Sequence, residues 1–260
     1  MTRPLRLTEA GIALTQRAAA AFEQIAAAQL EVEAIANLSA GSLRVGTFSS
    51  AGAAMVVDAL RAFRKSHPDV DVSITEIGMP SALIRSLRRG DLDLGVSFDY
   101  PEIGDTFGDD LALVRLLDDP FDVVVPRGHA LEREQTIRFA DLSGENWLLG
   151  DFGADSPSFR MIDRRCRDAG FDPNVVYRIN DCQMAQALVA AGEGIALLPR
   201  LMLRPAHPGI AIRPLTTEPP IRRVLALRLS TRYLTPATER FLALLVTASA
   251  DHAATHPQVR

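Results

Sequence analysis

Four places in this 260-residue chain set a polar cap directly after an apolar run and before a helical pattern: Ser49-Ser50, Pro80-Ser81, Ser156-Pro157 and Asp181. A helix start carries unpaired backbone N–H groups and a partial positive charge, so it can hold an anion or carboxylate without breaking any bond. Residue sets that do break bonds are not arranged in recognisable form. There is no Gly-x-x-x-x-Gly-Lys-Ser/Thr loop and no Gly-x-Ser-x-Gly elbow. Gly192-Glu-Gly194 follows a helical pattern and precedes a strand, the reverse of a dinucleotide fingerprint, and reads as a helix stop plus a tight turn. Of five histidines only His252 and His256 stand at i,i+4, without the glutamate of His-Glu-x-x-His and in a polar tail, so neither a metal nor any other cofactor is expected. Asp109-Asp110 and Asp118-Asp119 read as solvated loop faces, with a catalytic carboxylate pair as the alternative. Cys166 and Cys182 could form a thiol switch if Arg164, Arg165 and Arg167 lowered a thiol pKa; a buried Cys acting as a small apolar residue is the commoner case.

The elements that would position these caps follow a simple grammar. Leu43–Phe48 reads as a strand, and Val56, Leu60 and Phe63 mark a helix face at 4-3 spacing. Val70, Val72 and Ile74 alternate as a strand, Leu83, Ile84 and Leu87 mark a helix stopped by Gly90, and Leu92–Val96 is a third strand. This β-α-β-α-β order predicts a parallel sheet with right-handed crossovers. The order then returns. Strands at Phe121–Val125, Asn146–Leu149, Val175–Ile179, Ile195–Pro199 and Arg223–Leu229 alternate with helices through Ile162 and Cys166 and through Ala185, Leu188 and Val189. Thr235-Pro236 opens a last helix carrying Phe241, Leu244 and Leu245. In open parallel sheets ligands lie beyond the carboxyl ends of the strands, so two facing α/β units imply a cleft between them.

Ahead of both units, residues 8–38 are rich in Ala, Glu and Gln and contain no proline. Phe22, Ile25, Gln29, Val32 and Ala36 repeat at 3-4-3-4 spacing as a heptad-like seam on a helix of about 45 Å. A seam this thin and long calls for a partner; docking on its own domain is the alternative. Ser39-Ala-Gly41-Ser42 breaks the helix.

Composition narrows the class. With 47% hydrophobic and 23% charged residues the chain is neither disordered nor fibrous. A net charge of -4 argues against a large nucleic-acid surface. Two cysteines suit a reducing compartment, and no apolar run approaches the roughly 20 residues that span a bilayer. Residues 1–9 lack the apolar region of a signal peptide, so a cytoplasmic protein without membrane contact is expected.

Several phrases together resemble LysR-type transcriptional regulators. These are Leu5-Arg-Leu-Thr-Glu-Ala-Gly11 with the long helix after it, Gly41-Ser-Leu-Arg-Val-Gly46, Phe63-Arg-Lys-Ser-His-Pro-Asp-Val70 and Gly90-Asp-Leu-Asp-Leu-Gly95. Val125-Pro-Arg-Gly-His-Ala-Leu131 and Val189-Ala-Ala-Gly-Glu-Gly-Ile-Ala-Leu-Leu-Pro199 extend the likeness over nearly the whole chain. The resemblance implies an α/β fold: a long N-terminal linker helix followed by two Rossmann-like lobes resembling a type 2 periplasmic binding protein. Residues 1–7 would be a remnant of a DNA-binding wing and 8–41 the dimerisation linker. Lobe I would take 42–119 and 230–250, lobe II 120–229, with 251–260 as a frayed tail. Crossover strands are expected around Leu116–Phe121 and Leu225–Leu229. The family's helix-turn-helix is missing here, which suggests a shortened reading of the gene rather than a natural regulator without its reader. Residues 1–260 are then expected to form a homodimer or homotetramer and to bind a small-molecule effector, with promoter DNA contacted only through that missing element.

Carried onto matching positions, the resemblance places the effector site at Thr47, Phe48, Ser49 and Ser50, at Met79, Pro80 and Ser81, and at Phe98 and Asp99. The other lobe would supply Asp151, Phe152, Gly153, Asp181 and Pro199. The alternative is that Ser49, Ser81 and Asp181 do no more than cap their helices, with the aromatics in the core. Asp99, Asp151 and Asp181 make the cleft less hospitable to a bare anion, which favours a zwitterionic, hydroxylated or cationic effector. The chain is thus read as the effector-sensing and dimerising portion of a regulator and not as an enzyme. The alternatives are a small-molecule enzyme, or an exported solute-binding protein, using the same cleft.

Overall fold

The computed structural model describes residues 8–36, 41–104, 107–150, 156–216 and 218–255, with backbone alone for 30–36. Helix α1 spans Glu9–Ala36, opened by Thr8, whose hydroxyl accepts from Gly11 N–H. Strand β1 (Gly41–Thr47) leads into α2, a continuous helix over 49–66 made of Ser49–Ala51, a π-helical stretch Gly52–Val56, and Val57–Ser66. Then come β2 (Val70–Glu76), α3 (Pro80–Arg89) and β3 (Leu94–Asp99). The long strand β4 (Leu111–Pro126) precedes β5 (Asn146–Leu149), α4 (Pro157–Asp168) and β6 (Asn174–Arg178). The chain closes with α5 (Cys182–Ala190), β7 (Ile195–Pro199), β8 (Ile210–Arg213), β9 (Ile221–Leu229) and α6 (Pro236–Thr255).

The strands run in the order β2-β1-β3-β9-β4-β7-β5-β6, with β8 also on β4. In the first lobe β1 pairs in parallel with β2 and β3, as the β-α-β-α-β reading requires, and β9 joins antiparallel. In the second lobe β5 pairs in parallel with β6 and β7. Strand β4 belongs to both: Leu111–Pro120 pairs with β9, and Phe121–Pro126 with β7 and β8. Each lobe packs helices on its sheet. Phe63 of α2 meets Phe241 of α6 with ring centroids 5.6 Å apart, and both rings are fully buried.

Three expectations need correction. Phe121–Val125 is not a separate strand but the second half of β4, so Asp118 and Asp119 lie within a strand and not in a loop. Two carboxylates and Pro120 mimic loop composition, but arginines neutralise both carboxylates here: Asp118 pairs with Arg115 and Asp119 with Arg222. Strand β9 pairs only with β3 and the first half of β4, so 221–229 joins the first lobe, not the second, and the return crossing precedes Ile221 rather than falling at Leu225–Leu229. An apolar strand in sequence shows that it pairs but not with what. Helix α6 continues to Thr255, past the Asp251 at which the tail was expected to begin; Ser249 is buried in its last turns. Residues 1–7 and 256–260 lie outside the described residues.

The Gly192-Glu-Gly194 reading as stop and turn matches the backbone. Gly192 ends α5 with φ 83°, and a Cβ on Gly194 would sit 2.5 Å from the Asn146 carbonyl oxygen on the neighbouring strand.

Candidate functional site

Where the two lobes face each other, the ends of β1, β3 and β7 and the starts of α2, α4 and α5 enclose a cleft of about 350 Å³. Its wall is aromatic. Phe48 and Phe98 meet edge to face at 4.9 Å, Phe98 meets Tyr100 at 5.7 Å, and Tyr100 meets Phe121 at 6.1 Å. Aliphatic side chains from the second lobe, among them Ile162, Ile179 and Leu197, face this wall.

Among the described residues, one arginine lines the cleft: Arg222, at the start of β9. Its guanidinium lies over the rings of Phe48, at 4.9 Å, and Phe98, at 5.4 Å. Nε donates to Asp119 Oδ2 at 3.0 Å, and Nη2 donates to the same oxygen at 2.5 Å and to Ser50 Oγ at 3.0 Å. Nη1 has no hydrogen-bond partner among the described residues. Leu201 N–H, from the second lobe, donates to Asp119 Oδ1 at 3.0 Å. Both charged residues are at least 95% buried. Burial pushes the Asp119 carboxyl above the usual carboxylate range, against the opposing pull of Arg222 and of the Leu201 N–H.

The three helix starts differ in how their free N–H groups are met. Ser156 caps α4 by accepting from Phe159 N–H at 3.1 Å, and Asp181 caps α5 by accepting from Met184 N–H at 2.7 Å. Helix α2 has Phe48 at its cap position and no side chain accepting from its first turn. Its open N–H groups and partial positive end therefore face the cleft beside Ser49 and Ser50.

Of the residues expected at the site, Phe48, Ser49, Ser50, Phe98, Asp181 and Pro199 line the cleft. Thr47, Met79, Pro80, Ser81 and Asp99 do not. Thr47 is buried behind the cleft, and its hydroxyl donates to the Phe48 carbonyl. Met79 and Pro80 begin α3, Ser81 is exposed, and the nearby lining residues are Glu76 and Gly78 instead. Asp99 is turned away, with both oxygens held by Arg223 Nε and Nη2. Asp151, Phe152 and Gly153 lie outside the described residues. Sequence reasoning missed Arg222, Glu76, Tyr100 and Phe121. The only trace of Arg222 was that an acidic doublet, Asp118-Asp119, and a basic doublet, Arg222-Arg223, both sit beside apolar runs.

The thiol switch loses its premise. Arg165 is engaged by Glu102, Arg167 by Asp163 and Asp172, and Arg164 by Asp168. Burial, with help from Asp163 and Asp172, pushes the Cys166 thiol up to about 12, and burial followed by Asp181 raises Cys182. Among the described residues no cluster of His, Cys, Asp and Glu could hold a metal ion, and no helix is long and apolar enough to cross a membrane. On α1, Phe22 and Ile25 are 71% and 56% exposed, and Gln29 is exposed as well; nothing is described of the Val32 and Ala36 side chains.

The family model for the LysR substrate binding domain matches residues 36–250. The chain is 27% identical to the HTH-type transcriptional regulator XapR of Escherichia coli K12 over 246 residues, which is 94% of this chain and 80% of XapR. Among solved structures, the C-terminal domain of a probable LysR family transcriptional regulator from Rhodococcus sp. RHA1 is 25% identical with a TM-score of 0.68, over 79% of this chain and 98% of that one. Full-length CbnR complexed with its target DNA is 21% identical with a TM-score of 0.67, over 94% of this chain and 84% of that one.

Proposed function

Since the chain belongs to the LysR substrate-binding domain family, we propose that its cleft holds a small-molecule effector and leaves it chemically unchanged. The observation that carries this reading is Arg222, 4% exposed, with three of its donor contacts fixed by Asp119 and Ser50 and its Nη1 left without a partner at an aromatic-walled cavity. Such a group is organised to bind.

The lobes would be 42–119 with 221–250, and 120–220. Asp119 connects them, being hydrogen-bonded to Arg222 of the first lobe and Leu201 of the second. An effector that binds one arrangement of the lobes more tightly shifts the population toward it. The exposed Phe22, Ile25 and Gln29 on α1 would seat a second copy of the chain, and Val32 and Ala36 would extend that seam, giving a dimer or tetramer. A helix-turn-helix ahead of α1 would carry the response to promoter DNA in the cytoplasm.

A thermal-shift screen of metabolites tests the reading, because a ligand of the native state raises its apparent stability. At least one metabolite is expected to raise the melting temperature, less so in Ser50→Ala and unchanged in Ser81→Ala, whose residue lies outside the cleft. Light scattering on the purified chain is expected to give a dimer or tetramer. A chain that binds nothing in the screen, or turns a compound over, overturns the effector reading; a monomer overturns the seam.

A further inference from the structure

We propose that the effector is an α-amino acid with an apolar side chain, bound as a zwitterion; this rests on the reading of the cleft as an effector site. The argument begins with register. Thr47 of β1 is the Cα partner of Glu76 of β2, and Ile77 N–H donates to the Thr47 carbonyl at 2.7 Å. Adjacent strands lie about 4.8 Å apart. The uncapped start of α2, two residues after Thr47, is therefore a near neighbour of Glu76 at the same edge of the sheet, and Ser49, Ser50 and Glu76 all line the cleft.

These neighbours have opposite preferences. The open N–H groups of α2, the Ser49 and Ser50 hydroxyls and Arg222 Nη1 all favour a carboxylate. The Glu76 carboxylate has no hydrogen bond or ion pair among the described residues and favours a cation. Charge balance points the same way. Asp119 already neutralises Arg222, while Glu76 and, across the cleft, Asp181 have no positive partner in the lining. A bare carboxylate would gain the helix start but meet this negative excess, and a bare amine would leave the helix start and Arg222 unpaired. A molecule carrying both charges on one carbon satisfies both sides. Its side chain then lies against Phe48, Phe98 and Tyr100, whose rings already form one wall, and a cavity of about 350 Å³ holds a leucine- or phenylalanine-sized body.

The test is titration calorimetry on the full chain with matched probes. These are L-leucine and L-phenylalanine, their desamino acids 4-methylpentanoate and 3-phenylpropanoate, and their decarboxylated amines 3-methylbutylamine and 2-phenylethylamine. At least one amino acid is expected to bind, at least tenfold tighter than either truncated partner. Glu76→Gln, at an exposed strand end and so safe for folding, is expected to weaken the amino acid at least tenfold and to bind the desamino acid at least as tightly as the native chain does. A desamino acid or amine that binds as tightly as its amino acid overturns the zwitterion while effector sensing stands. An amino acid that binds Glu76→Gln and the native chain equally overturns the role of Glu76 and the proposal with it. If no probe binds, the zwitterion is overturned, and the metabolite screen separately decides whether the cleft senses anything.

Discussion

Arg165 on α4 donates from Nε and Nη2 to the two carboxylate oxygens of Glu102, at 2.9 and 2.7 Å, and so ties the second lobe to the first. Seven residues earlier, two turns back along the same helix face, Ser158 lines the cleft together with Tyr100 of the first lobe. Helix α4 therefore presents one polar stripe to the seam between the lobes, with Ile162 between Ser158 and Arg165.

Both members of the Arg165–Glu102 pair keep 27% of their side-chain surface. Solvent screening limits such a pair to about 1 kcal/mol despite its two-pronged geometry. A double-mutant cycle with Arg165→Ala and Glu102→Gln in urea unfolding is expected to give a coupling energy of that size. Independent effects of the two changes would mean that the link between the lobes contributes nothing to stability.

The Arg222–Asp119 pair is a different case, because both partners are buried. Arg222→Ala would strand a carboxylate in the interior and is expected to cost about 3–5 kcal/mol. Replacing both, as Asp119→Leu with Arg222→Met, removes the stranded charge and is expected to recover most of that loss while effector binding stays abolished. Denaturant titration separates these outcomes. A single variant that costs less than the double would show that the pair does not act as a unit.

Tyr100 is buried, and burial pushes its hydroxyl up to about 12. The unfolded phenol ionises near 10. A group whose folded pKa is raised gives stability that is complete below the unfolded value and is lost as pH rises through the folded one, so this contribution disappears between about pH 10 and 12. The expected loss across that window is about 2 kcal/mol. In Tyr100→Phe this part of the alkaline limb should flatten. Exposed Tyr177, held up by Glu193, titrates in both proteins and cancels in the comparison. Superimposable alkaline limbs would refute the assignment.

The first lobe's parallel core was legible because local signals sufficed: alternation in Val70, Val72 and Ile74, Pro80 at the first turn of α3 and Gly90 past its end. Phe48, Ser49 and Ser50 were legible for the same reason, since a strand followed by a polar helix start fixes where those residues lie. Arg222 was not, because its role depends on meeting Asp119 across 103 residues, and such a pairing leaves no periodic trace. Glu76 was missed because a charged residue ending a half-exposed strand looks like solvated surface until the register with Thr47 is known. Asp99 erred in the opposite direction. Its place at the end of β3 suggested the cleft, but strand alternation turns it toward Arg223, while its neighbour Phe98 lines the cavity.

The cysteines give a chemical readout of the same cleft. The thiolate is the form that attacks disulfide and alkylating reagents, and both thiols are shifted away from it. Cys166, on the buried face of α4, is fully buried with its pKa near 12, so it should stay unreactive toward Ellman's reagent at pH 8 until the chain unfolds. Cys182, at the start of α5, lines the cleft and is partly accessible, so it should react slowly, and an effector should slow it further. Cys182→Ser should abolish the slow native phase and leave the denatured phase of Cys166 intact. Fast reaction of two thiols in the native chain would show that burial does not control them. An effector that raises the melting temperature but leaves the Cys182 rate unchanged would place its site outside this cleft.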